Sequence, residues 1–252
     1  MPKLSHTPLN PETITPEQIV AICDHALLHP NLTDAQLRTE LLAVRVFPLA
    51  SVCIKPYAVR LAKDVLSGTP IGIGTVIGFP HGSHPPAVKA LETRIAFDDG
   101  ATEVDMVINI GKALSHDWTH CRDDIQAVRD VAKERNGVLK VIFETDFLTD
   151  DIAKIKLCEL CSELRVDYVK TSTGFGYAKQ PDGHFLARGA QDADLVLMRK
   201  HSAPHVGVKA SGGIRTRADA LRVIALGVTR IGTTSTAAIL NPPNTSAPAT
   251  NY

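Results

Sequence analysis

Val206-Gly207-Val208-Lys209-Ala210-Ser211-Gly212-Gly213-Ile214-Arg215-Thr216 decides how the chain is read. A short β-branched run carries one lysine, breaks at a glycine pair, and leads into a helix-period segment over 217–226. That segment stops at Gly227, a helix-ending signal, and a second short run, 230–232, follows. Strand, glycine turn, helix and strand in so short a stretch is the repeating unit of a parallel α/β fold.

The unit recurs on both sides. Strand-like runs stand at 22–27, 51–54, 71–77, 103–108, 138–143 and 168–171. Helix-period segments separate them. One starts at the capping pair Thr33-Asp34, another covers 86–98 with Gly100 beyond it, and a third covers 118–135 with Gly137 beyond it. Eight strands alternating with about eight helices predict an α/β fold of the (β/α)8 TIM-barrel type in a single domain. The barrel is expected over about 20–240 of the 252 residues, after a short N-terminal extension. Residues 241–252 are proline-rich and polar and read as a flexible tail. A doubly wound open sheet is the alternative. It calls for a glycine-rich dinucleotide turn after the first strand, and none stands there.

Hydrophobic residues make up 44% and charged residues 21%, enough apolar material for a large core. Lys+Arg and Asp+Glu both number 27, so no overall charge points to nucleic acid or to a membrane surface. No apolar run approaches the roughly 20 residues of a membrane span, and the polar N-terminus lacks a signal-peptide core. A cytoplasmic location is expected. The five scattered cysteines fit reduced thiols, with Cys158 and Cys161 on the apolar side of a helix. His81 and His84 form the one tight histidine pair and lack an obvious third ligand, so no metal is expected.

Polar residues break the apolar strands. Asp24 is expected toward the end of the first strand. Asp105 lies in the fourth, with Asn109 on the same face by period two. Lys140 and Glu144 share a parity in the fifth, and Lys170 and Lys209 occupy the sixth and seventh. Active sites of such barrels gather at the carboxyl ends of the strands, so two carboxylates and three amines could meet in one pocket. Any one of these groups alone reads as a buried ion pair. Two lysines on consecutive strands are harder to explain structurally. If close, each lowers the other's pKa toward a neutral, nucleophilic amine, the chemistry of a Schiff-base enzyme, and a carboxylate such as Asp105 can relay protons. The residues alone do not rank Lys170 against Lys209. The loops 210–216 and 230–235 carry exposed-backbone glycines after strands seven and eight, where barrels often hold phosphate.

Several segments resemble the deoxyribose-phosphate aldolase family of class I, Schiff-base aldolases. They are Asp24-His25-Ala26-Leu27-Leu28, Val52-Cys53-Ile54, Thr75-Val76-Ile77-Gly78-Phe79-Pro80-His81-Gly82, Glu103-Val104-Asp105-Met106-Val107, Leu139-Lys140-Val141-Ile142-Phe143-Glu144-Thr145, Val169-Lys170-Thr171-Ser172-Thr173-Gly174-Phe175, and the opening stretch from Val208 to Thr216. The resemblance implies Lys170 as the Schiff-base lysine, with Lys209 and Asp105 as its catalytic partners. It implies substrate contacts from Asp24, Cys53, Lys140, Thr173, Gly174 and the terminal Tyr252, and phosphate contacts from Gly212, Gly213, Gly232, Thr234 and Ser235. It implies a small phosphorylated sugar and acetaldehyde as the reacting partners, no cofactor, and a homodimer. The chain departs from the family at Ala26, where threonine is common, at Phe175, where some members have lysine, and at Gly232-Thr233-Thr234-Ser235. Two other readings remain open: a Schiff-base aldolase or transaldolase with another donor, and a phosphate-binding barrel without covalent catalysis.

Overall fold

The structure, a computed structural model, describes residues 6–241. In chain order its elements are α1 (Pro16–Val20), β1 (Cys23–Leu27), α2 (Asp34–Val44), β2 (Ser51–Ile54), α3 (Val59–Val65), β3 (Gly72–Ile77), α4 (Pro86–Asp99), β4 (Glu103–Val107), α5 (Ile110–Leu114), α6 (Trp118–Glu134), β5 (Val138–Ile142), α7 (Asp151–Glu163), β6 (Tyr168–Lys170), β7 (Ala178–Lys179), β8 (Phe185–Leu186), α8 (Asp192–His201), β9 (Gly207–Ser211), α9 (Arg217–Ala225), β10 (Arg230–Thr233) and α10 (Thr236–Leu240). Eight parallel strands close into a barrel in the order β1-β10-β9-β6-β5-β4-β3-β2. The barrel strands are those the sequence predicts, to within two residues at each end. Closure of the ring settles the choice against an open sheet. The antiparallel pair β7 and β8 is an addition that two-residue strands do not announce in sequence.

Strands covered by helices outside and by side chains inside are buried on both faces. Residues of one parity, among them Val104, Met106, Leu139, Val141, Val169, Val208 and Ile231, join the apolar layer beneath the helices. The other parity is where the charges sit: Asp24, Glu103, Asp105, Lys140, Lys170, Lys209 and Arg230 are all buried. Register sets their order around the ring. Asp105 pairs with Lys140, Lys170 with Lys209, and Lys209 with Arg230.

Local signals explain the helices. Thr33 and Gln36 form a reciprocal capping box at the start of α2. Cys121, Ile125, Val128, Val131 and Ala132 make the buried stripe of α6. Cys158 and Cys161 are buried and free on α7, beside Leu157 and Leu160. Three local expectations are corrected. Asn109 is not a strand residue; its side chain caps α5 by accepting from the Lys112 amide at 3.1 Å. The left-handed residue after α6 is Asn136, with φ 52°, one position before the expected Gly137. Asp24 is the second residue of β1 rather than near its end. Among the described residues no helix is long and apolar enough to cross a membrane.

A buried ion pair fixes two of the outer helices to the barrel. Lys89 of α4 donates to Asp124 of α6 at 2.6 Å and to the Val107 carbonyl at 2.8 Å. The same Asp124 oxygen accepts the Asn109 amide at 3.1 Å. Burial pushes the Lys89 amine down and the Asp124 carboxyl up, against the pull of their pairing. We expect Asp124→Ala, which leaves Lys89 buried without its partner, to cost about 3–5 kcal/mol in urea unfolding. A loss below about 1 kcal/mol would show the pair is not a structural tie.

Candidate active site

The interior charges form one hydrogen-bonded cluster. Lys170 donates to Asp105 Oδ2 at 2.8 Å, and Lys209 donates to the same oxygen at 2.6 Å and to Asp24 Oδ2 at 2.5 Å. Lys140 lies 2.9 Å from Asp105, 3.1 Å from Asp24 and 2.5 Å from Glu103. Arg230 closes the network, with Nε on Asp24 at 2.6 Å and Nη2 on Glu103 at 2.5 Å. The Ser51 hydroxyl donates to Asp24 Oδ1 at 2.7 Å. Gly232 leaves the space this needs: a Cβ there would stand 2.9 Å from that of Ser211 and 3.3 Å from Lys209 Cε.

The charges act unequally on the groups. Burial alone would push Asp24 and Asp105 up; Arg230, Lys140 and Lys209 around the first, and Lys140, Lys170 and Lys209 around the second, outweigh it and hold both well below the usual range. Burial opposes the charge on Lys140 too, but its three carboxylates more than compensate and raise its pKa well above normal. Lys170 goes the other way. Burial lowers it most, its single carboxylate Asp105 opposes that, and repulsion from Lys209 lowers it further. The most enclosed amine is thus held charged, and the amine at the cavity floor is pushed toward the neutral form.

Above the cluster opens a cavity of about 570 Å³. Its lining includes Asp24, Cys53, Lys170, Thr173, Gly174, Lys209, Gly212, Gly213, Gly232 and Thr234. Asp105, Lys140 and Ser235 are not among the lining residues. Asp105 and Lys140 lie beneath it, wholly enclosed, and Ser235 stands at the N-cap position of α10 without a capping hydrogen bond from its side chain. The Cys53 thiol is pushed up to about 11, first by burial and then by Asp105, which leaves it protonated and unreactive. Tyr252 lies outside the described residues.

Hydrogen bonds between loops hold the rim. The Thr171 hydroxyl donates to the Ser211 carbonyl at 3.1 Å and accepts the Ser211 amide at 3.0 Å, while the Ser211 hydroxyl donates to the Ser172 carbonyl at 2.5 Å. Gly212 and Gly213 both take positive φ, 88° and 82°, in the turn expected to hold phosphate. An aromatic edge flanks the mouth, where Phe175 packs against Phe79 at 5.5 Å and His29 at 6.4 Å between ring centres. His25, on the Thr236 hydroxyl at 2.9 Å, is pushed down to about 4 by burial and is neutral.

Sequence reasoning brought together Asp24, Asp105, Lys140, Lys170 and Lys209, and the structure places all five in one network. It did not single out Glu103 or Arg230. The available signals were that Glu103 shares the parity of Asp105, and that Arg230 opens a strand whose next inward residue is Gly232.

A parallel barrel with paired lysines and a carboxylate under a glycine-rimmed cavity has the form of a Schiff-base aldolase site. A family model described as DeoC/LacD family aldolase matches residues 19–236. The deoxyribose-phosphate aldolase of Rhodopirellula baltica is 43% identical over 217 residues, covering 86% of this chain and 86% of its own. That of Listeria innocua is 42% identical over 230 residues, covering 91% and 98%. The tetrameric deoxyribose phosphate aldolase from Aeropyrum pernix superposes with a TM-score of 0.76 at 29% identity, over 90% of this chain and 91% of that one. The chain belongs to the DeoC/LacD aldolase family.

The cluster also carries stability. Asp24 and Asp105 are depressed in the folded state, so their contribution is fully present above the unfolded carboxylate pKa and is lost as pH falls below about 4. Arg230→Met strips one cation from Asp24 and Glu103 and is expected to cost about 3–5 kcal/mol at neutral pH. It should also flatten the acid limb of stability, both read by urea unfolding across pH. An unchanged urea midpoint would contradict the role given to Arg230.

Proposed function

We propose that this chain is a class I aldolase, a lyase, that reversibly cleaves 2-deoxy-D-ribose 5-phosphate to D-glyceraldehyde 3-phosphate and acetaldehyde. The observation that carries the reading is the pairing of Lys170 and Lys209 on one oxygen of buried Asp105, at the floor of the cavity. The named relatives support the substrate. Under the same reading the enzyme is cytoplasmic and self-associates as a homodimer.

The neutral amine of Lys170 attacks C1 of the open-chain sugar, and loss of water leaves an iminium. That cation draws the electrons of the C2–C3 bond as the C3 hydroxyl loses its proton. A water held by Asp105, which shares its Oδ2 with both lysines, and by the Lys209 ammonium, which bridges to Asp24, is placed to take that proton and return it. Glyceraldehyde 3-phosphate departs. The enamine on Lys170 takes a proton at C2, and hydrolysis of the resulting iminium releases acetaldehyde and the free amine. The 212–213 turn and the residues after β10 hold the phosphate end. Lys140 keeps Asp24 and Asp105 ionised from below.

Borohydride reduction in the presence of deoxyribose 5-phosphate, followed by peptide mass mapping, should label Lys170. Label on Lys209 instead, or on no lysine, would refute the assignment. Lys170→Leu should abolish turnover, and Asp105→Asn should slow kcat roughly 10²- to 10⁴-fold. Turnover with dihydroxyacetone as donor and none with acetaldehyde would point to a different aldolase. A phosphate-induced rise in melting temperature with no trapped adduct would point to a binding barrel.

A further inference from the structure

Glu144 stands two residues past the end of β5 and is neither part of the ion cluster nor on the cavity wall, yet its setting is unusual. Its φ of 56° lies in the left-handed region, which costs energy for a residue with a side chain. The carboxylate is buried. It accepts the Thr173 amide, at 3.3 Å on one oxygen and 3.2 Å on the other, and also accepts the Thr173 hydroxyl. That hydroxyl in turn accepts the Phe175 amide at 2.9 Å. At Gly176 a Cβ would stand 2.8 Å from the Glu144 carboxyl carbon, so a side chain there would displace the carboxylate. The whole 173–176 turn, three residues beyond Lys170, is wrapped around this one carboxylate.

Two residues on, Asp146 grips the far end of the same loop. It accepts the Arg188 amide at 2.6 Å and the Gly189 amide at 3.2 Å. Gly189 lies against the phosphate turn so closely that a Cβ would be 2.6 Å from the Gly212 carbonyl. The neighbouring Ala190 amide donates to that Gly212 oxygen at 3.1 Å.

We propose that Glu144 is a positioning residue for the phosphate end of the site, holding the 173–176 turn in place while Asp146 holds the other end of the loop against Gly212. The proposal rests on the aldolase reading for the identity of the phosphate ligand. Glu144 acts through Thr173 and touches no reacting atom. Its ionised form accepts both the amide and the hydroxyl of Thr173; a protonated carboxyl has one acceptor position fewer. Burial, chiefly, pushes Glu144 up to about 7. Asp146 on its own loop raises it further, and the Thr173 hydrogen bonds and Lys170 of β6 lower it. Tightening of the turn therefore follows deprotonation in the neutral range.

The test uses the full chain, with inorganic phosphate as a probe and deoxyribose 5-phosphate as substrate. Glu144→Ala is expected to raise the phosphate Kd and the substrate KM roughly ten- to hundredfold, with kcat within about threefold of the parent and borohydride trapping at Lys170 intact. Glu144→Gln keeps the shape and one acceptor and should fall between the two. The ratio of parent to Glu144→Gln phosphate affinity, in which the ionisation of phosphate itself cancels, should rise as pH climbs through about 7. An unchanged Kd in Glu144→Ala, a loss of kcat without a change in KM, or a ratio flat with pH each overturns the proposal. If Glu144→Ala does not fold, the Glu144→Gln ratio decides alone. Absence of a trapped adduct in the parent protein would instead refute the aldolase reading, and the phosphate Kd values would still report on Glu144.

Discussion

Everything at the centre of the barrel depends on an imbalance of charge. Four cationic side chains, Lys140, Lys170, Lys209 and Arg230, share three carboxylates, Asp24, Glu103 and Asp105, in a hydrogen-bonded cluster closed to water on most sides. A surplus positive charge at low dielectric is expensive, and the cheapest remedy is for one amine to lose its proton. Lys140 has three carboxylates around it and Lys170 has one. Of the amines, Lys170, which borders the cavity, is the one whose pKa burial and the Lys209 charge push down. The network that stabilises the interior thus also prepares the amine that the proposed mechanism uses as its nucleophile.

Parallel register makes this arrangement possible. Neighbouring strands place Lys170, Lys209 and Arg230 side by side, which would repel in an open sheet. Closure brings the carboxylates of β1 and β4 across the interior to meet them. The loops above are built differently. Hydrogen bonds of Thr171 and Ser211 join them, and buried carboxylates just past β5 hold the segment after β6. Charge placement belongs to the strands, and the shape of the phosphate end belongs to the turns.

Much of this is legible in one dimension. Period-two polarity in apolar runs marked Asp105, Lys140, Lys170 and Lys209 as inward-facing, and the glycine pair after β9 marked the rim. What was hidden depends on distance across the ring. Glu103 and Arg230 sit at strand beginnings, where a charged residue ordinarily reaches solvent, and only closure shows that they form the lower end of the cluster. Asn109 continued the alternation of β4 and proved to be a helix cap, because a short polar side chain competes for backbone groups wherever a strand gives way to a helix. Glu144 matched the parity of Lys140, but the left-handed turn beneath it re-aims the side chain at Thr173. The β7–β8 hairpin has too few residues in each strand to show a period.

The central claim is that the cluster keeps Lys170 neutral more readily than an ordinary lysine. NMR titration of its side chain, assigned by comparison with Lys170→Leu, measures that directly. The account predicts a pKa below the ordinary lysine value of about 10.4, and a rise when Lys209→Met removes the neighbouring positive charge. A Lys170 amine that titrates at or above the ordinary value, unmoved by the loss of Lys209, would contradict it.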